Sequence, residues 1–424
     1  MKFRMITGFF LLAVLSACGG DSTRNTQLQQ EQPLQLPPNF KAIKVAESLG
    51  TPRHIAVHTN GDIYVKLERL RDGKGILRLR DTNGDSIVDE VTGFGNYGGT
   101  GIAIKNGYLY ASSNTDVYRY KFNEKNEIDP QQQPEVVVTG LVDRRQHNSK
   151  SITLDNDGYL YVNIGAPSNA CQEKDRTKGS PGMDPCPILE TAGGIWQFRA
   201  EGKNQSYAEG IRYATGLRNV VGLDWNTHNN TLYVMQHGRD QLNTMYPELY
   251  NDTTNADLPA EEFFRVKKGM HFGWPYCYYD PNRNKKIIAP EYGGDGKTTG
   301  RCDGFEKPIY AFPAHWAPNG LLFYNGVQQF PERYRNGAFI AFHGSWNRSP
   351  MEQGGYNVVF VPMQNGMPSG TYEVFADNFA GAVKTPRGAK HRPCGLAMGP
   401  DGSLFISDDQ GGAVWKIIYN GTKQ

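Results

Sequence analysis

The chain has 424 residues, with 49 Gly and 23 Tyr, and its 45 Lys and Arg stand against 43 Asp and Glu. So even a balance creates no large uniform field, which excludes a polyanion or nucleic-acid partner. The length would serve several ordinary domains, but no long helical periodicity divides it, and a short repeat ties it into one.

In chain order, residues 1–17 read as an export signal. Lys2 and Arg4 are basic, Met5 to Leu15 form an apolar run too short to span a bilayer, and Ser16-Ala17 are small. Leu15-Ser16-Ala17-Cys18 resembles the bacterial lipobox, which implies cleavage before Cys18 and acylation of that thiol, hence a lipid anchor in a membrane. Gly19 rather than Asp follows the Cys, which by resemblance to other lipoproteins favours the outer membrane. Residues 18–38, rich in Gln, Asn and Pro, read as a disordered tether, and residues 39–424 as the folded domain.

From Asn60 onward one pattern returns six times: an Asn-Gly or Asp-Gly turn, then alternating aromatic and β-branched residues. It reads NGDIYV (60–65), NGYLYA (106–111), DGYLYV (157–162), NNTLYV (229–234), NGAFIAF (336–342) and DGSLFIS (401–407). Gly and Asn supply the positive φ of a tight hairpin, and a period of two buries one face of a strand. Six hairpins with about four strands' worth of chain between them predict an all-β, six-bladed β-propeller, whose site lies where loops converge at one end of the central channel.

Asp81, Asn83, Asp85 and Asp89 place oxygen groups at alternate positions of one loop. Ser86 stands where an EF-hand has Gly, and no Glu lies at the twelfth position, so the loop is either a structural calcium site or a solvated acidic turn.

Two stretches, Gly165 to Thr191 and Arg239 to Pro318, interrupt the blade spacing and predict surface-building loops. They hold Cys171 with Cys186 and Cys277 with Cys302, which in an oxidising compartment predict one disulfide in each loop, with Cys394 free. No C-x-x-C-H occurs, so the chain carries no covalent c-type haem and must hand any electrons to an external acceptor, a cytochrome or a membrane quinone.

The segments between repeats concentrate His, Arg, Asn and Trp: PRHIAV, RRQHNSKSITL, GLRNVVGLDW, MQHGRDQLN, HFGWPYCY, HWAPNGLLFY, HGSWNRSP and RPCGLAMGPDG. Cationic donors from several blades facing one channel predict an anionic, planar ligand. Trp225, Trp274 and Trp415 fall in or beside strand patterns and predict core positions, while His228, His237 and His391 read as structural or surface histidines unless neighbouring motifs recruit them.

In their order, GLRN before a hydrophobic strand, HG at a strand end, GWP and RP-x-G-L-A-x-x-P-D-G resemble the soluble quinoprotein glucose/sorbosone dehydrogenases, from about Phe40 to Tyr419. HGSWNRS with PRHIAV is more similar to the sorbosone and fungal pyranose dehydrogenase branch than to the glucose enzymes. The resemblance implies a six-bladed propeller binding pyrroloquinoline quinone (PQQ) and Ca²⁺ and oxidising a sugar or related alcohol or aldehyde. By it, His147 matches the general base, Arg218 and Asn219 the pair at the quinone oxygen, and Arg53, His343 and Arg392 the groups gripping the carboxylates or ring edge. His343 departs from the glucose branch, where a lysine sits; Trp316 resembles the aromatic residue lying against the cofactor plane. Gly238 and Arg239 occupy the turn whose backbone carbonyls hold the calcium, with Asp240 either an added contact or a plain turn residue. Two other classes stay open: a calcium-dependent hydrolase of the lactonase type, which would need carboxylates and an Asn converging on one metal, and a propeller that only binds a carbohydrate or protein.

Overall fold

The computed structural model describes residues 33–325 and 329–422. Readings that fall before residue 33, namely the signal of residues 1–17, the Cys18 anchor and most of the tether, lie outside the described residues. Among those described, no helix is long and apolar enough to cross a membrane.

Six sheets succeed one another along the chain, each of at least four strands and antiparallel except where Gln205–Ser206 adds to Glu135–Thr139 in parallel. Their innermost strands are Pro52–Val57, Ile102–Lys105, Ile152–Leu154, Val220–Asn226, Pro318–Tyr324 and Pro393–Met398. The strand order closes a six-bladed propeller, and each repeat motif enters the second strand of a blade: Ile63–Arg71, Tyr108–Ser112, Tyr159–Ile164, Thr231–Gln236, Gly337–Phe342 and Leu404–Asp408. The turn chemistry behaves as the sequence requires: Asn106 and Gly107 take φ of 48° and 77°, the left-handed pair of a two-residue hairpin joining Ile102–Lys105 to Tyr108–Ser112.

One expectation is corrected. Alternation predicts burial of a single face, yet consecutive residues such as Leu109 and Tyr110, or Leu160 and Tyr161, are all at most 2 % exposed. The reason is the ring: each blade is covered on both faces by its neighbours, so Tyr64, Ile76 and Phe94 of the first blade share a core with Leu109 and Tyr120 of the second. Each fully buried leucine contributes roughly 1.5–3 kcal/mol relative to exposure.

Phe40–Ala46 pairs with Ala413–Tyr419, from Phe40↔Tyr419 to Ala46↔Val414, so the start of the fold supplies the outer strand of the last blade and leaves no gap between first and last. The domain also begins earlier than residue 39. Gln35 and Asp377 exchange backbone hydrogen bonds of 3.1 and 3.0 Å, and Leu34 is buried against the fifth and sixth blades, so residues 33–38 belong to the fold rather than to a disordered tether. An apolar side chain with a core to enter overrides the Pro- and Gln-rich composition around it.

Both predicted disulfides form, Cys171–Cys186 and Cys277–Cys302, and Cys394 is free and buried. The two bridges share one apolar cluster with Trp274, Tyr276 and Leu189, so the two long loops support each other.

Candidate functional site

All six inner strands start at one end of the channel, and the residues singled out from the sequence gather there. Farther in, the channel continues as a cavity of about 320 Å³ to which each blade contributes an apolar side chain, Ile55, Ile102, Ile152, Leu223, Leu321 and Leu396, beside polar groups that include Lys105, Thr153, Asp224 and Thr227. Between mouth and cavity lies a polar layer: His54 Nε2 meets the Asn319 carbonyl at 2.8 Å, and Asn163 Nδ2 donates to Ser149 O at 3.2 Å and to Asn219 Oδ1 at 3.4 Å.

His147 sits in the connection before the third blade with a φ of 51°. Its Nδ1 is 2.5 Å from the Ala166 carbonyl, which can only accept, so Nδ1 carries the proton and the neutral ring keeps its lone pair on Nε2. Gly165 makes this approach possible: a Cβ there would lie 2.6 Å from His147 Cβ and 2.7 Å from Asn219 Oδ1. Burial, then the Arg218 charge, pushes the His147 imidazole down to about 3, so it is neutral across the physiological range.

Arg218 is buried and nearly saturated. Nη2 donates to Asp240 Oδ2 at 2.7 Å and to Asn169 Oδ1 at 3.0 Å, Nη1 to Gly238 O at 2.9 Å, and Nε to Asn169 O at 3.3 Å. Four of its five N–H hydrogens are thereby engaged, leaving one on Nη1. Asp240 also receives Arg176 Nη2 at 3.0 Å, and although burial opposes it, Arg218 and Arg176 hold this carboxylate well below its usual range. Asn169 donates from Nδ2 to Asp240 O at 3.0 Å and accepts the Asp240 amide at 2.9 Å. Asp240 is therefore a clamp on Arg218 rather than a plain turn residue.

On the other side of the mouth, Asp409 takes Arg53 Nη1 on one oxygen and His343 Nε2 on the other, both at 2.6 Å. Burial opposes ionisation of Asp409, but His343 and Arg53 outweigh it and hold the carboxyl ionised, while burial draws His343 down. Arg53 Nε is buried without a hydrogen-bond partner. Arg392 donates from Nε and Nη2 to the carbonyls of His343 and Gly344, each at 2.9 Å. Trp316 is half-buried, its ring edge-on to Phe342 at 5.3 Å, and its carbonyl accepts the Gly344 amide.

Glu261 joins the halves: its oxygens accept the amides of Gly238 at 2.8 Å and Ala317 at 3.0 Å, and burial pushes its carboxyl up to about 8. His237, also at the mouth, places Nε2 3.1 Å from Pro318 O. His147, Arg218, Asn219, Gly238, Trp316, His343, Arg392 and Arg53 thus form one connected shell. Arg239 is brought there by its backbone alone, since its guanidinium pairs with buried Glu291. The Gly238 carbonyl, read as a calcium ligand, accepts Arg218.

The acidic loop lies elsewhere. Asp81 accepts the amides of Gly84 and Ser86, each at 2.7 Å; Asn83 accepts that of Asp85, Asp85 that of Ile87, and Asp89 faces Thr82. These side chains cap their own turn, and among the described residues no group of three or more His, Cys, Asp or Glu is gathered as a metal site would be.

Sequence reasoning did not single out Asp409, Asn169 or Glu261. Their partners are far away in sequence, Arg53 being 356 positions from Asp409, so no local spacing announces them.

A six-bladed ring with a cation-lined mouth and a neutral histidine defines a propeller of the quinoprotein type. The TrAA12-like family model matches residues 34–420, and the chain belongs to that family. It is 24 % identical over 398 residues to a pyrroloquinoline quinone-dependent sugar dehydrogenase of Hypocrea jecorina, covering 88 % of this chain and 86 % of the relative. Two solved structures superpose on it: the calcium structure of a Trichoderma reesei carbohydrate-active enzyme of family AA12 (22 % identity, TM-score 0.73, 94 % of this chain and all of that one), and the holo form of the pyranose dehydrogenase PQQ domain of Coprinopsis cinerea (20 %, 0.72, 92 % and 98 %). At these identities the superposition bears on the fold.

Proposed function

We propose that this chain is a PQQ- and Ca²⁺-dependent oxidoreductase that oxidises a sugar or related alcohol or aldehyde and passes electrons to an external acceptor. The observation that carries the reading is the mouth itself: a neutral His147 with its Nε2 lone pair free of the Ala166 contact, facing a shell of arginines of which Arg53 keeps a buried, unpartnered Nε.

The residues present fit the cofactor. A planar tricarboxylate needs buried cationic donors, and Arg53 Nε with the remaining Nη1 hydrogens of Arg392 and Arg218 supplies them. Arg53, His343 and Arg392 would hold its carboxylates, Asn219 and Arg218 its quinone edge, Trp316 its face, and the backbone of the Gly238–Arg239 turn the calcium. When bound, the quinone supplies a two-electron acceptor and Ca²⁺ a Lewis acid. His147 takes the hydroxyl proton of the sugar on Nε2, its ring held by Ala166. An anion arriving beside it would offset the Arg218 charge and raise its basicity toward neutrality. Asp240 and Asn169 keep Arg218 in place so that its charge meets negative charge developing at the mouth.

Among alternatives, the lactonase reading calls for carboxylates around one metal; here the buried carboxylates Asp240 and Asp409 are each matched by arginines. Export, acylation at Cys18, anchoring in the outer membrane and delivery of electrons to a cytochrome or quinone complete the proposal, supported by residues 1–19 and by the lack of a haem attachment motif. Sugar-dependent reduction of an artificial acceptor by cofactor-loaded protein, abolished in His147→Ala, tests the activity. Turnover that survives that substitution would contradict the assignment of the base.

A further inference from the structure

We propose that Glu262, joined to Lys286, is a positioning residue for the oxidation: it seats the backbone of Arg218 and, through Arg218, the ring of His147. The inference rests on the redox reading above, which gives Arg218 and His147 their roles, and adds a residue that acts only through them.

Strand Glu261–Val266 turns its first two side chains to opposite faces of the fourth blade. Glu261 serves the amides of Gly238 and Ala317, while Glu262 stands opposite Gln236 on the neighbouring strand Thr231–Gln236. Glu262 is 2 % exposed and accepts on both oxygens: Lys286 Nζ donates to Oε2 and Gln236 Nε2 to Oε1, each at 2.7 Å. Lys286, 1 % exposed, comes from the hairpin strand Lys285–Ile288 in the second long loop and also donates to the Phe272 carbonyl at 2.7 Å.

An ionised carboxylate can only accept, so Gln236 must turn its amide nitrogen to Glu262 and its oxygen the other way. That oxygen takes the Arg218 amide at 2.8 Å. Arg218 depends on this contact because it lies ahead of Val220, where pairing with Thr231–Gln236 ends, so its amide has no place in the strand ladder. From Arg218 the contacts continue without a gap: its carbonyl accepts the Ala166 amide at 2.8 Å, and the Ala166 carbonyl accepts His147 Nδ1. A line of buried hydrogen bonds thus runs from the Lys286 ammonium to the base.

Glu262 has two separable tasks in this line. As a charge it partners Lys286, which bears on stability. As an acceptor it orients Gln236, which bears on the site.

A set of variants separates them. Glu262→Leu removes both the charge and the acceptor. Glu262→Gln keeps an oxygen for Gln236 but loses the charge facing Lys286. Glu262→Leu combined with Lys286→Met removes the acceptor and leaves no buried charge unpaired. Each is made in the full chain and read by calorimetric titration with PQQ in the presence of Ca²⁺, by turnover of a panel of aldoses per bound PQQ, and by thermal unfolding without cofactor. Glu262→Leu should lose roughly tenfold or more in PQQ affinity and in kcat, with the sugar KM within about twofold of the parent. The combined variant should keep that loss while its unfolding temperature recovers toward the parent. Glu262→Gln should show the opposite, affinity and kcat within about threefold of the parent and a lowered unfolding temperature. Affinity and kcat that simply follow the unfolding temperature across the set, or that match the parent in the combined variant, overturn the positioning role. A parent that binds no PQQ overturns the redox reading, and the positioning role with it.

Discussion

His147 Nδ1 lies 2.5 Å from the carbonyl oxygen of Ala166, and this one contact sets the chemistry available at the mouth, because it fixes the tautomer and leaves Nε2 as the ring's acceptor. The carbonyl does for this ring what a carboxylate does in a catalytic triad, without adding charge.

His147→Gln keeps the size of the side chain and loses the base. We expect turnover to fall by about 10²–10⁴-fold, with unfolding temperature and cofactor affinity little changed. Stopped-flow kinetics beside a thermal scan separates the two effects; a parallel loss of stability and rate would assign His147 a packing role.

Asp240→Ala leaves Arg218 buried without its carboxylate. The variant should lose about 3–5 kcal/mol of stability, and cofactor affinity should fall with it, because Arg218 is then free to leave the Asn169–Gly238 seat. Chemical denaturation reads the first effect and titration the second; a variant as stable as the parent would refute the clamp.

The buried histidines make an acid-side prediction. Burial holds His147 and His237 near 3 and His54 and His271 near 4, all below the ordinary 6.5. The unfolded chain therefore binds more protons than the folded one between about pH 4 and 6.5, and stability is lost as pH falls through that window. Several sites acting together should give a slope steeper than the ~1.4 kcal/mol per pH unit of a single group. Glu261, raised to about 8, works the other way, losing its contribution as pH rises from about 4.5 to 8. Denaturation midpoints at pH 4, 5, 6 and 7 check the slope; a flat profile would mean that these rings are solvated.

Removing the Cys171–Cys186 bridge by serine substitution should cost about 3 kcal/mol for a loop of this size. Arg176 within the bridged loop and Asn169 just before it hold Asp240 and Arg218, so cofactor affinity should fall as well. Affinity unchanged in a destabilised variant would show that these contacts survive without the staple.

The sequence carries the blades because a propeller writes its order locally: an Asn-Gly turn and five or six alternating residues are enough to mark each second strand. It carries the mouth for a related reason, since His147, Arg218, His343 and Arg392 each sit just outside a blade strand, where the chain must turn at the channel's end. What stayed illegible is whatever depends on long-range pairing. Asp409 and Asn169 are ordinary turn residues until Arg53 and Arg218 arrive from other blades, and nothing near Leu34 foretells its place in the core. In the loop of Asp81 to Asp89 the amides of Gly84, Asp85, Ser86 and Ile87 donate to the side chains of Asp81, Asn83 and Asp85, a set of contacts that the spacing alone does not reveal.

The most direct measurement is calorimetric titration of the protein with PQQ, with and without Ca²⁺. The account predicts stoichiometric, Ca²⁺-dependent binding that weakens in Arg53→Ala and Arg218→Ala and persists in His147→Gln. No binding at micromolar PQQ with Ca²⁺ present would contradict it and return the lactonase and binding-propeller readings to the front.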